Sequence, residues 1–163
     1  MVDAPTGLDA HPLSYAVFRL ARLHKSLAGR LLRDAGLRPG QELVLMTLWR
    51  DGPQRQVDLV RTLDSDAPTM ARSIARLARA GLVRREPSAT DRRVVIVHPT
   101  EAALALRQKV ADAWAELERA TAGDLPDGRV ADVLRALADL EANLTAAEAP
   151  DRGDLGTPHP PAP

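Results

Sequence analysis

The chain has 163 residues with 22 basic and 22 acidic side chains, enough for one modest domain or two small lobes and too little for a large multidomain enzyme. Its 28 Ala and 24 Leu stand against 12 Val and 2 Ile, a bias toward residues that lose little rotamer freedom in a helix, so a β-sandwich or barrel is not expected. Cysteine is absent, which excludes disulfides, thiolate zinc sites, iron–sulfur clusters and thiol redox sensing.

No stretch approaches 18 uncharged apolar residues, and the first residues do not show the basic-then-apolar pattern of a secretory signal, so a cytoplasmic protein without a membrane partner is expected. The zero net charge hides an asymmetry. Residues 66–93 carry 7 basic and 3 acidic side chains, whereas residues 94–163 carry 6 and 12. Balanced overall charge therefore does not exclude an anionic polymer as partner.

Residues 1–12 hold turn formers without periodicity and read as a flexible N-terminus. A helix starts near Leu13, where Leu13, Val17, Leu20, His24, Leu27 and Leu31 recur at alternating spacings of four and three. Gly36 ends it. Pro39 and Gly40 open a second helix, apolar nearly all round from Leu43 to Trp49, which belongs in a core. After Asp51, Gly52 and Pro53, the residues Val57, Leu59, Val60 and Leu63 mark a short third helix.

The fourth helix is the most informative. Asp66 caps it, Pro68 sits where a missing N–H costs nothing, and Gly81 stops it. At about 100° per residue, Met70, Ile74 and Leu77 fall on one side. Arg72, Arg76 and Arg79 fall opposite, flanked by Thr69 and Ser73. Two β-rich runs follow, Val83–Glu86 and Val94–Val97, joined by a polar loop ending in Asp91, Arg92 and Arg93, which predicts a two-stranded hairpin.

Thr100 caps a long helix through about Thr121, with Leu106, Val110, Trp114 and Leu117 on one stripe. Beyond Gly123, Pro126 and Gly128, a last helix keeps Val130, Val133, Leu137, Leu140 and Leu144 in register. From about residue 148 a Pro-rich tail is expected to be disordered.

Helix, helix, Arg-faced helix and basic hairpin, in that order, form a winged helix-turn-helix. The major groove of B-DNA is about 12 Å wide and admits one such helix. Pro68, Thr69, Arg72, Ser73, Arg76, Arg79 and Arg84 are its candidate DNA-contacting residues, joined by Asp91, Arg92 and Arg93 at the hairpin tip, where a guanidinium fits a narrow minor groove. A helix with three arginines is by itself usually only solvated; the conjunction of elements carries the inference. His11, His24, His98 and His159 lack metal-ligand spacing, so no metal site and no cofactor are expected. Neither a glycine-rich phosphate loop nor a catalytic motif such as HExxH or GxSxG is present, and an enzyme is not expected. A helical adaptor that kept the fold but lost DNA affinity is the alternative.

The run Ala67-Pro68-Thr69-Met70-Ala71-Arg72-Ser73-Ile74-Ala75-Arg76-Leu77, followed by Gly81-Leu82-Val83-Arg84-Arg85, by Asp91-Arg92-Arg93 and by Thr100-Glu101, resembles the MarR family of bacterial transcriptional regulators over about residues 13–147. The resemblance implies a mainly α fold, with a winged helix-turn-helix over 37–100 and dimerisation helices at 13–36 and 101–147. It also implies a homodimeric repressor of double-stranded DNA with a pseudo-palindromic operator, in which Arg93 enters the minor groove and Asp91 braces the wing arginines. A small phenolic or lipophilic effector is implied too, for which Tyr15, Phe18, His24, Trp49 and Trp114 are candidate walls. Three positions depart from the family's pattern: Pro99 for a usual Leu, Ala103 for a frequent Gly, and Arg38 for a frequent Ser or Thr cap.

Overall fold

Periodicity and breakers dictate most of the element order. In the computed structural model, which describes residues 10–148, helix α1 runs Pro12–Leu31 and tightens into a 3₁₀ turn at Leu32–Ala35. Gly36, at φ 69°, supplies the left-handed conformation that stops it. Helix α2 spans Gln41–Asp51, strand β1 Gln54–Arg55, helix α3 Gln56–Thr62 and helix α4 Ala67–Arg79. Strands β2 (Val83–Pro87) and β3 (Val95–Pro99) follow, then helices α5 (Glu101–Leu104), α6 (Arg107–Ala122) and α7 (Asp127–Glu148). The expectations of a flexible N-terminus and a disordered tail fall mostly outside the described residues.

Two expectations are corrected. The hairpin is part of a three-stranded antiparallel sheet in the order β1-β3-β2. Gln54 pairs with Val97 and Arg55 with Ile96, so the segment after Pro53 closes one edge of the wing. The long helix predicted from Thr100 to Thr121 is broken at Ala105–Leu106, where the Leu106 N–H turns back to the Ala103 carbonyl at 3.0 Å instead of continuing the α ladder.

The core sits among α2, α3, α4, the sheet and α6. Leu45, Leu59, Ile74 and Val97 are fully buried there, with Val44, Leu48, Leu77 and Val110 beside them. Each such Leu or Ile withdraws enough apolar surface from water to stabilise the fold by about 1.5–3 kcal/mol. Ala103, one of the three positions that depart from the resemblance, is also fully buried, its methyl packed in the core.

Helix α2 is less uniformly apolar in its surroundings than its sequence predicts. Met46 is exposed, while Gln41, Glu42 and Thr47 are buried. Thr47 satisfies its hydroxyl on the Leu43 carbonyl at 2.9 Å. Glu42 leaves one carboxylate oxygen without a hydrogen-bond partner, and burial raises its pKa, with the backbone N–H groups of Glu42 and Gly40 pulling the other way.

The apolar stripe of α1 packs only at its C-terminal end, where Ala28 is buried and Leu27 and Leu31 are half-buried. Leu13, Val17, Phe18, Leu20 and Leu23 are exposed. Of the described residues, those from Ala122 onward form a separate unit. Within it, α7 carries exposed Val133, Leu134, Leu137 and Leu144 alongside intrahelical pairs of Asp132 with Arg129 and Arg135.

Candidate nucleic-acid interface

The start of α4 is set by its cap. Asp66, in an extended conformation, accepts the Thr69 backbone N–H at 2.7 Å, and Pro68 occupies the first turn. Hydrogen bonds from Thr69 hold the Asp66 carboxyl below its ordinary value, aided by the Arg72 charge. Met70, Ile74 and Leu77 bury one face completely, while Pro68, Thr69, Arg72, Arg76 and Arg79 line the other side and Ser73 is half-buried. The Arg72 guanidinium donates to the Thr69 hydroxyl at 2.9 Å, which draws it along the helix toward its N-terminus. Among the described residues none of these three arginines is paired with a carboxylate, whereas Arg50, Arg55 and Arg61 all are.

The wing loop is ordered by short-range hydrogen bonds. The Ser88 N–H donates to the Val94 carbonyl at 2.8 Å and the Val94 N–H to the Asp91 carbonyl at 2.9 Å. The Asp91 carboxylate accepts the Arg93 backbone N–H at 2.9 Å. Asp91 thus holds the loop through the main chain of a wing arginine, Arg93. Arg92 and Arg93 are exposed. Arg93 borders a groove of about 300 Å³ that Val57 and Val60 of α3 share with Val94 and Val95. Arg84, by contrast, is ion-paired with Glu86 along its own strand and lies 3.4 Å from His98 Nδ1. Its neighbour Arg85 is exposed and is absent from the sequence-based candidates, because strand alternation alone does not say which of the two is free.

Beside α4 lies a groove of about 320 Å³, with Thr69, Arg72, Ser73 and Arg76 on one wall and Arg38, Gly40 and Gln41, at the start of α2, on the other. Arg38 and Gln41 also line an adjoining recess with Arg76 and Arg79. By sequence Arg38 is only a lost cap. In the structure the N-cap of α2 is Gly40, without a side-chain cap, and the Gln41 side-chain oxygen accepts the Arg38 N–H at 2.9 Å.

The five candidate effector walls are not gathered in any of these grooves. Tyr15, Phe18 and His24 stand on the exposed part of α1, with the Arg19 guanidinium 5.8 Å from the Tyr15 ring. Trp49 and Trp114 are half-buried against the core, and Arg107 lies 6.0 Å from the Trp49 ring.

A helix that buries one face and presents unpaired guanidinium groups on the other, tied to a basic β-hairpin, defines a winged helix-turn-helix DNA-binding protein. The MarR family model matches residues 37–95. The HTH-type transcriptional regulator MgrA of Staphylococcus aureus is 25% identical over 126 residues, covering 77% of this chain and 84% of MgrA. Among solved structures, reduced AbfR bound to DNA is 25% identical, covers 85% of this chain and 92% of AbfR, and superposes with a TM-score of 0.72. A mutant MarR from E. coli complexed with operator DNA shares the fold, with a TM-score of 0.77 at 21% identity over 83% of this chain and 98% of that one. Over residues 37–95 the chain is similar to the MarR family, and with these relatives it is a DNA-binding transcriptional regulator. An adaptor without DNA affinity is not favoured. Among the described residues no helix is long and apolar enough to cross a membrane.

Proposed function

We propose that the protein acts as a cytoplasmic homodimeric repressor on a pseudo-palindromic operator. Its DNA-binding domain spans residues 37–100, and the helices of 13–36 and 101–147 hold two copies together. The observation that carries this reading is the face of α4, where Arg72, Arg76 and Arg79 have no carboxylate partners among the described residues. That face enters the major groove, with Pro68, Thr69 and Ser73 at its flank. Arg92 and Arg93, set by Asp91, reach the adjacent minor groove, and Arg84 supports the wing from its strand. Two-fold symmetry places the half-sites about 10–10.5 bp apart, or a multiple of that.

Dimerisation is supported by the exposed apolar residues of α1, Leu13 at 58% and Phe18 at 66%, and of α7, Leu134 at 61%. Stripes of this size are seldom left in water. An effector is supported by analogy with Bordetella bronchiseptica BpsR, whose DNA binding is regulated by 6-hydroxynicotinic acid and which shares this fold at 23% identity with a TM-score of 0.74. A phenolic or lipophilic compound contacting Tyr15, Phe18, His24, Trp49 or Trp114 relieves repression if it binds the DNA-incompetent arrangement more tightly than the competent one. AbfR has been solved in reduced, overoxidised and disulfide-formed states; without cysteine, this chain has no such trigger.

Selection of operators from random duplexes, followed by light scattering of the complex, tests the proposal. Two copies on one inverted repeat are expected. One copy on an asymmetric site would refute it.

A further inference from the structure

We propose that Arg38 is a DNA-contacting residue that clamps a backbone phosphate beside the major groove occupied by α4. The proposal rests on the reading of α4 as the recognition helix and adds a residue from a different element to the interface. Arg38 is exposed and lines both recesses alongside α4, one together with Arg72 and Arg76 and the other with Arg76 and Arg79. It has no carboxylate partner among the described residues, in contrast to Arg50 at the far end of α2, which is held by Asp51 at 2.7 Å.

The local backbone supports this role. Gln41 accepts the Arg38 N–H through its side-chain oxygen, so its amide nitrogen is the end left to donate toward the groove it lines. Gly40 adds no side chain between Arg38 and Gln41, and a Cβ there would meet nothing within 4 Å. A guanidinium, an amide donor and the opposing Arg76 around one open groove suit an anion with several acceptor oxygens, and the backbone flanking the groove that receives α4 supplies such anions in register. Phosphate contacts position a protein without reading sequence. Arg38 therefore sets affinity and salt dependence, and leaves the choice of operator to α4.

The test compares wild type, Arg38→Ala, Arg38→Lys and Arg50→Ala on a selected operator and on a scrambled duplex of equal length, from about 50 to 200 mM salt. Arg50→Ala removes the same charge from the other end of α2 at an ion-paired position. Arg38→Ala is expected to bind both duplexes at least tenfold more weakly near 100 mM and to lower the slope of log K against log salt by about two, one for each subunit, with Arg38→Lys keeping most of the slope. Circular dichroism and Tm should match wild type, because the Arg38 N–H that Gln41 receives is retained. An Arg38→Ala variant indistinguishable from Arg50→Ala overturns the proposal while leaving the DNA reading intact. Loss confined to the operator overturns it in favour of base contact. Wild type binding neither duplex in a salt-dependent way overturns both.

Discussion

Thr100 donates its hydroxyl to the Gly81 carbonyl at 2.7 Å, joining the residue that stops α4 to the residue that leaves the wing. The same oxygen lies 3.1 Å from the Leu82 carbonyl and accepts the Ala103 N–H, while the Thr100 N–H donates to Leu82 at 3.1 Å. One side chain thus fastens the end of α4, the base of the sheet and the cap of α5. Thr100→Val should lower stability by about 1 kcal/mol, the scale of one lost cap or hydrogen bond. It should also weaken operator binding, because helix and wing are no longer held at a fixed offset. Thr100→Ser should restore both in a thermal melt and a binding isotherm.

Arg76 stands mid-helix on the arginine face of α4 and borders both recesses. If it reads a base, Arg76→Ala should cost about 1–3 kcal/mol for each half-site of the operator, roughly 5- to 150-fold per half-site, with a smaller loss on a scrambled duplex. Fluorescence anisotropy on the two duplexes separates the cases. Equal losses would reduce Arg76 to a phosphate contact.

Glu42 is only 4% exposed and burial raises its pKa. An acid whose folded pKa exceeds its unfolded value holds more protons folded than unfolded between the two. Stability therefore falls as pH rises through that window. Above the ordinary glutamate value the buried carboxyl therefore costs stability, and Glu42→Gln removes that cost. The variant should melt higher than wild type at pH 7, and the gap should close as pH falls toward the ordinary glutamate value of 4.5. A variant that is less stable at pH 7, with a gap indifferent to pH, would show that the carboxylate is needed where it lies.

Leu20 is 51% exposed on the apolar stripe of α1. A charge there leaves the monomer's core untouched and opposes burial in an interface. Leu20→Glu should keep its helical signal, shift the mass in light scattering from dimer toward monomer, and weaken operator binding by about 10²-fold or more as the second half-site ceases to be tethered. A monomeric variant with undiminished affinity would sink the dimeric account.

Much of this architecture is written in local chemistry. Asp66, Pro68 and Gly81 bracket α4 because caps and breakers act within a turn, and the burial of Met70, Ile74 and Leu77 follows from helical spacing alone. Strand β1 is not legible: Gln54 and Arg55 have no alternating pattern, and only pairing with Val97 and Ile96, about forty residues away, makes them a strand. The break at Ala105–Leu106 carries neither proline nor glycine to announce it. At the site, the arginines of α4 are readable from periodicity. Arg38 is not, because its proximity to Arg76 depends on how α2 packs beside α4. Nor can periodicity show that Arg84 is held by Glu86 while Asp91 serves the backbone of Arg93.

The central claim is that the α4 face and the wing engage DNA together, and replacing Arg72 and Arg93 by Ala in one chain tests it most directly. Titrated against a selected operator at about 100 mM salt, wild type should bind in the nanomolar range typical of specific regulators. The double variant, with unchanged Tm, should fall to the affinity of a scrambled duplex. Equal affinity of wild type and variant for the operator would contradict the account.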